Sequence, residues 1–289
     1  VLERSFRGRA RYAEQGRSGV GLRRRRLRGP AAWGATAVAT SVVLLGFGLP
    51  TAQLVAWAVD EQSGPRGTPQ LDRYTDYLGN SLTLTAATVA VCLVVATLIA
   101  NAGRFSSSRA VGVARRTATV GYAVPGAVVA MGVVLALVAL DRAIEGFGLT
   151  LPGTVATGSF LALVYAYAVR FLAPAVTSLE SGLEQVPRDL SASARSLGAH
   201  PLRVVRSIHL PLSRASVLTA AVLVGVDALK ELPVALLLRP IGFDTLPVWV
   251  YNLASESRFQ QAALPALTII TAAIAPVAIL CWRLDRGRT

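Results

Sequence analysis

The chain is poor in the residues from which soluble catalytic and metal sites are usually built. Its 289 residues include one lysine, two cysteines and two histidines. The lysine, Lys230, follows Val226-Asp227-Ala228-Leu229, so there is no Gly-rich loop ending in Gly-Lys-Ser/Thr to cradle nucleotide phosphates, and the chain is not a P-loop ATPase. Cys92 and Cys281 both lie in apolar runs, which leaves neither a disulfide framework nor a zinc spacing. His200 and His209 have no third ligand beside them and read as loop or interface histidines, not as a metal site. Charge is scarce too: 16% of the residues are Asp, Glu, Lys or Arg, against about 25% in a soluble domain.

Apolar residues take up the difference. They make up 53% of the chain, the mean hydropathy is +0.52, and the pattern is that of a membrane protein. A bilayer core about 30 Å thick needs about 20 apolar helical residues. Uncharged runs of that kind cover 31–59, 80–100, 117–140 and 262–282, and a fifth covers 153–169, up to Arg170. A sixth, 215–238, is equally apolar except for Asp227, Lys230 and Glu231. The expected fold is an all-α membrane protein with six transmembrane helices in one domain, 31–289.

A net charge of +13 would suggest nucleic acid on a soluble chain, but the arginines are distributed by topology. Twenty-three of the 29 basic residues fall in the N-terminal segment, the second and fourth loops and the tail, and five in the alternate loops. Basic loops stay on the cytoplasmic side, which places both termini in the cytoplasm of a multi-pass protein of the cell membrane, with lipid and not nucleic acid around it. Residues 1–30 are rich in Arg and Gly without an apolar stretch, and read as a cytoplasmic tether, not a signal peptide.

The loop at about 177–211 is patterned. Val186-Pro187-Arg188-Asp189 has the Pro and first-turn acid of a helix start, and Gly198 ends that helix. His200-Pro201 starts a second helix with Leu202, Val205 and Ile208 on one stripe, and Leu210-Pro211 is expected to break it.

By residue identity this loop resembles the one diagnostic of ABC importer permeases. The frame is Ala192-Ser193-Ala194, then Gly198-Ala199-His200-Pro201-Leu202, then Ile208-His209-Leu210-Pro211. Ala192 stands where the family has Glu, and Ser193 where it has the middle Ala. The resemblance implies a type I-like permease fold whose coupling helices seat in a groove of an ABC ATPase subunit. ATP is then used by that separate subunit; this chain is a transport subunit without catalytic residues or a bound cofactor. It further implies an extracytoplasmic solute-binding protein and a second permease half, either another chain or a second copy.

Asp227, Lys230 and Glu231 are costly at bilayer depth, about 2.5–3.5 kcal/mol for each Lys or Asp at a helix centre. Their spacing puts them on one helix face, where the ammonium can pair with either acid. Pro233 leaves a helix carbonyl unpaired near Leu229, which is tolerated where backbone faces protein or a watery cavity. The trio either lines the pathway or locks helices together at a subunit interface. A proton relay in a secondary transporter is the reading from another class, and the coupling pattern speaks against it.

The stretch from Asp227 also resembles the second half of ferric-iron ABC importer permeases. The resemblance rests on Lys230-Glu231-Leu232-Pro233, Leu238-Arg239-Pro240, Gly242-Phe243-Asp244-Thr245-Leu246 and Leu253-Ala254-Ser255-Glu256. It implies ferric iron as cargo, although thiamine, polyamine, phosphonate and sulfate permeases look alike. It also implies that the Arg-rich start is a linker, making the chain a separately encoded or truncated C-terminal half.

Overall fold

Prolines and short polar caps decide where the helices begin and end. The computed structural model describes residues 28–63, 71–106, 108–146 and 158–286, so the tether expected at 1–30 lies almost wholly outside the described residues, as does the start of the expected 153–169 span. All regular elements among the described residues are helical. The chain falls into two units, Val1–Pro50 and Thr51–Thr289.

Helix α1, Pro30–Ser63, opens with Pro30 after Gly29, whose φ of 62° suits glycine, and carries a five-residue wide turn at Leu44–Gly48. Its part in the first unit has no buried side chain. In the second unit, α2 (Leu71–Phe105) is long enough, at about 50 Å, to cross a bilayer with turns to spare. Helix α3 (Arg109–Ala123) starts where the Ser108 hydroxyl accepts from the Val111 amide at 3.4 Å, and α4 (Gly126–Gly146) follows Pro125. Helix α5 (Phe160–Glu184) is capped by Ser159, whose hydroxyl accepts from the Ala162 amide at 3.1 Å. Then come α6 (Arg188–Ser196), α7 (Pro201–Leu212), α8 (Arg214–Leu229), α9 (Pro233–Leu238), α10 (Leu246–Ser255) and α11 (Phe259–Arg286).

Helix α5 is the centre of the second unit, packed by α2, α3 and α8. Ala162, Ala166, Ala173 and Ala175 are buried on it, and small residues let helix backbones approach when apolar lipid offers no alternative driving force. Gly121 shows how close that approach is: a Cβ there would lie 2.0 Å from the Val169 carbonyl oxygen. At the other end of α5, a Cβ on Gly182 would lie 2.2 Å from the Ser216 hydroxyl.

Among the described residues, five helices are long and apolar enough to cross a membrane: Pro30–Ser63, Arg73–Phe105, Gly126–Gly146, Phe160–Glu184 and Phe259–Trp282. A sixth is reached only by joining Pro201–Leu212 to Arg214–Leu229 across a 79° bend. Three expected spans are therefore redrawn. The 117–140 run is broken at Val124-Pro125, because proline disfavours helix in the residue before it. Arg170, expected to end the fourth span, sits inside α5, which continues to Glu184. The 215–238 run stops at Leu229 and restarts at Pro233.

One end of the unit carries aromatic pairs, Trp57 stacked on Phe259 at 5.7 Å and Tyr77 edge-on to Trp249 at 5.1 Å. Rings of this kind gather at membrane–water interfaces.

Candidate functional site

Two polar nodes stand out. The first is the patterned segment between α5 and α8. Helix α6 begins after Pro187, and its end is made by Gly198, whose φ of 84° is the left-handed conformation that glycine adopts without a Cβ clash. The Ala199 amide donates to the Ala194 carbonyl at 3.0 Å, closing the turn. His200 caps α7, its Nδ1 accepting from the Leu202 amide at 3.4 Å, and Pro201 takes the first helical position. Ala192 and Ser193 are exposed, Ala194 is half-buried, and the tip presents Leu197 and Leu202, 88% and 69% exposed.

One expectation for this segment fails. Leu210-Pro211 does not break the second helix, which runs on to Leu212. Pro211 has no N–H to offer four residues back, and the chain widens to a five-residue turn over Val205–His209 just before it. The break falls at Ser213, whose hydroxyl donates to the His209 carbonyl at 2.6 Å. Along the stripe of Leu202, Val205 and Ile208, Leu202 is exposed and the other two are half-buried, while the buried positions of this helix are Val204 and His209.

His209 is wholly buried. Its Nδ1 lies 2.5 Å from Asn101 Oδ1 and its Nε2 2.8 Å from the Ser191 hydroxyl. Phe105 stacks on the ring at 5.6 Å. Burial, helped by the charge of Arg104, pushes its pKa below the ordinary value, which keeps the ring neutral. Arg104 itself donates to the carbonyls of Leu183 and Val186, so the C-terminal end of α2 grips the chain where α5 ends, just ahead of α6.

The second node contains the expected trio, but not on one helix face. Asp227 is in α8, Lys230 caps its end, and Glu231 lies in the break before α9. Lys230 Nζ pairs with Asp227 Oδ1 at 2.9 Å, the lysine side chain 59% exposed, and the Tyr122 hydroxyl donates to Asp227 Oδ2 at 3.3 Å. Glu231 faces the other way and is buried. Its Oε2 meets Arg170 Nε at 3.1 Å, its Oε1 accepts from the Val234 amide at 3.4 Å, and its carbonyl accepts from the Tyr167 hydroxyl at 3.1 Å. Pro233 opens α9 instead of kinking a continuous helix.

Arg170 escapes a reading of the sequence as a site residue because it ends an uncharged run and counts there as a loop arginine. The signal that places it is the uncharged stretch from Phe171 to Leu179 beyond it. Its Nη1 donates to the Val124 carbonyl at 2.7 Å, freed by the Pro125 break. One guanidinium thus clasps two interrupted helices, α3–α4 and α8–α9. Gly126 makes room for it: a Cβ there would fall 2.6 Å from Glu231 Oε1 and 3.1 Å from Arg170 Cζ.

Long apolar helices around an Arg–Glu ion pair, with a helix–Gly–helix segment between two of them, make a polytopic helical membrane protein. Residues 92–286 match the family model described as binding-protein-dependent transport system inner membrane component, and the chain belongs to that family. It is 24% identical over 242 residues to the Fe(3+)-transport system permease protein FbpB 2 of Haemophilus influenzae, covering 83% of this chain and 45% of that protein. It is 30% identical over 129 residues to the putative 2-aminoethylphosphonate transport system permease protein PhnV of Salmonella typhimurium, covering 45% of this chain and 47% of that one. The chain thus spans about half the length of these curated relatives. A bacterial alginate ABC transporter, solved in complex with an alginate-bound periplasmic protein, has a chain of the same fold, with a TM-score of 0.67 at 16% identity over 86% of this chain and 91% of that one.

Proposed function

We propose that this chain is the transmembrane permease subunit of an ATP-driven ABC importer and that its cargo is ferric iron delivered by an extracytoplasmic binding protein. The observation that carries the permease reading is the 186–213 segment, a helix, a left-handed Gly198 and a second helix presenting Leu197 and Leu202 outward. ABC ATPase subunits, which hydrolyse the ATP, dock there, at Ala192 to Leu202, with Ile208 to Pro211 carrying the docked helix into α8. Arginines 109, 115, 116, 188, 195, 203, 206 and 214 flank this end, which favours the cytoplasmic side for it and for both termini.

The ion-paired node lines the pathway or the contact with the second permease half. Lys230 is exposed in this chain and paired with Asp227, which the Tyr122 hydroxyl also contacts, so its ammonium faces water or a partner and not hydrocarbon. Closure of the ATPase pair moves the docking segment, and the helices interrupted at Val124-Pro125 and at Lys230–Leu232 shift as packed bodies between two arrangements. Iron as cargo is supported by the Fe(3+)-transport relative, whose match covers the larger share of this chain. A phosphonate cargo is the second reading, favoured by the shorter match at higher identity.

The test is ATP-dependent uptake of labelled ferric iron into cells with and without the chain, with 2-aminoethylphosphonate, thiamine and a polyamine in parallel. Loss confined to iron supports the proposal, and loss confined to another solute replaces the cargo and keeps the permease. Gly198→Asp strains the turn and charges the tip. It should abolish uptake with normal membrane insertion, and normal uptake at normal protein level overturns the docking assignment.

A further inference from the structure

We propose that His209 is a positioning residue that seats both docking helices on the inner end of α2. The docking role rests on the function proposed above; the seating rests on geometry. Three chain segments meet at this ring: Asn101 and Phe105 from α2, Ser191 from α6, and the wide turn of α7 that carries the histidine itself. The proton positions follow from the partners. Asn101 Nδ2 donates to the Thr97 carbonyl at 2.8 Å, which turns its Oδ1 toward the ring. The histidine Nδ1 therefore carries the proton, and Nε2 accepts from the Ser191 hydroxyl.

The same residue is tied into the 79° bend between α7 and α8. Its carbonyl accepts both the amide of Ser213, at 2.9 Å, and its hydroxyl, at 2.6 Å. Across the bend, α5 approaches too closely at Gly182 to leave room for any side chain. The outward residues Leu197 and Leu202 make the docking tip, while His209 makes its inward attachment. Helix α2 is also pinned at its far end: Asn80 Nδ2 donates to the Asp244 carbonyl at 2.9 Å, and the Ser81 hydroxyl accepts from the Leu246 amide at 2.8 Å. Asn80 and Asn101 are separated by about 30 Å of unbroken helix. A force on the docking helices enters α2 through His209 and reaches the 239–246 turn through the same rod.

The experiment uses the full chain in lipid nanodiscs, with Cys281→Ser and paired spin labels. One pair, at Val94→Cys and Leu197→Cys, spans α2 to the docking tip; the other, at Val94→Cys and Ile241→Cys, spans α2 to the far turn. His209→Phe keeps the volume and the stacking but removes both hydrogen bonds, whereas His209→Gln can donate to Asn101 and accept from Ser191. For His209→Phe we expect the 94–197 distance distribution to widen at least twofold and the 94–241 distribution to stay as in wild type. Ferric-iron uptake in cells falls tenfold or more at unchanged protein level, and His209→Gln restores most of both readouts. An unchanged 94–197 distribution, widening of both pairs together, or normal uptake in His209→Phe overturns the proposal. Gly198→Asp in the same assays separates the two ideas: its failure to impair uptake removes the docking reading, while the distance measurement decides the seating.

Discussion

At one node of this chain a neutral imidazole lies between an amide and a hydroxyl; at the other, a guanidinium and a carboxylate face each other 3.1 Å apart between interrupted helices. Both are buried and both tie three or more segments together, yet their energetics differ. A neutral buried group needs its hydrogen bonds satisfied, and each is worth about 0.5–1.5 kcal/mol net. A buried ion pair is held by a larger opposed balance, in which losing one partner strands a charge. The second node also contains its own contrast, because Glu231 is buried with Arg170 while Lys230, one residue earlier, is mostly exposed with Asp227.

The sharpest way to break this comparison is Arg170→Ala. It leaves the Glu231 carboxylate and the Val124 carbonyl without their partner, and should lower stability by about 3–5 kcal/mol, read as thermal unfolding of the purified chain in detergent. The double variant Arg170→Met with Glu231→Leu should recover much of that loss, because no charge is then stranded. Equal damage in the single and double variants would mean that packing, and not charge, governs the node.

Next in size is Gly121→Ala, which drives a methyl into the Val169 carbonyl and forces α3 away from α5. A loss of about 1–3 kcal/mol is expected by the same measurement.

The neutral node is probed by pH. With its pKa depressed in the folded state, His209 contributes stability that is present above the unfolded value of 6.5 and is lost as pH falls through the folded value, since only the unfolded chain protonates readily. Unfolding temperature should therefore fall more steeply on acidification below pH 6.5 in wild type than in His209→Phe. Parallel curves would remove the neutral-ring account.

The smallest effect on stability is expected for Lys230→Ala, under about 1 kcal/mol, because an exposed pair is screened by water. Its effect on uptake should be larger than its effect on stability if the ammonium faces the pathway. A stability loss as large as that of Arg170→Ala would erase the distinction between the two ion pairs.

Much of this architecture is legible in the order of the residues. Composition and long uncharged runs declare a helical membrane protein, since bilayer thickness fixes the length of apolar helix required. Gly198 with its flanking Ala and Pro residues specifies the turn between α6 and α7, because backbone conformation there is a local matter of Cβ sterics and missing N–H groups. The same local rule operates at Pro125 and Pro233, where helices end although the apolar runs around them read as continuous.

What the sequence determined by itself is therefore the helical class, the apolar runs from which the spans are cut and the turn at Gly198, all set by interactions within a few residues. Only the tertiary structure decided which charge pairs with which. Spacing along a single helix favoured Lys230 for either acid, but the chain stops being one helix at Leu229, and Glu231 turns to an arginine 61 residues away. It also decided that His209 is an interior joint: its partners Asn101 and Ser191 lie 108 and 18 residues off, and no local pattern encodes a contact made only when α2, α6 and α7 pack.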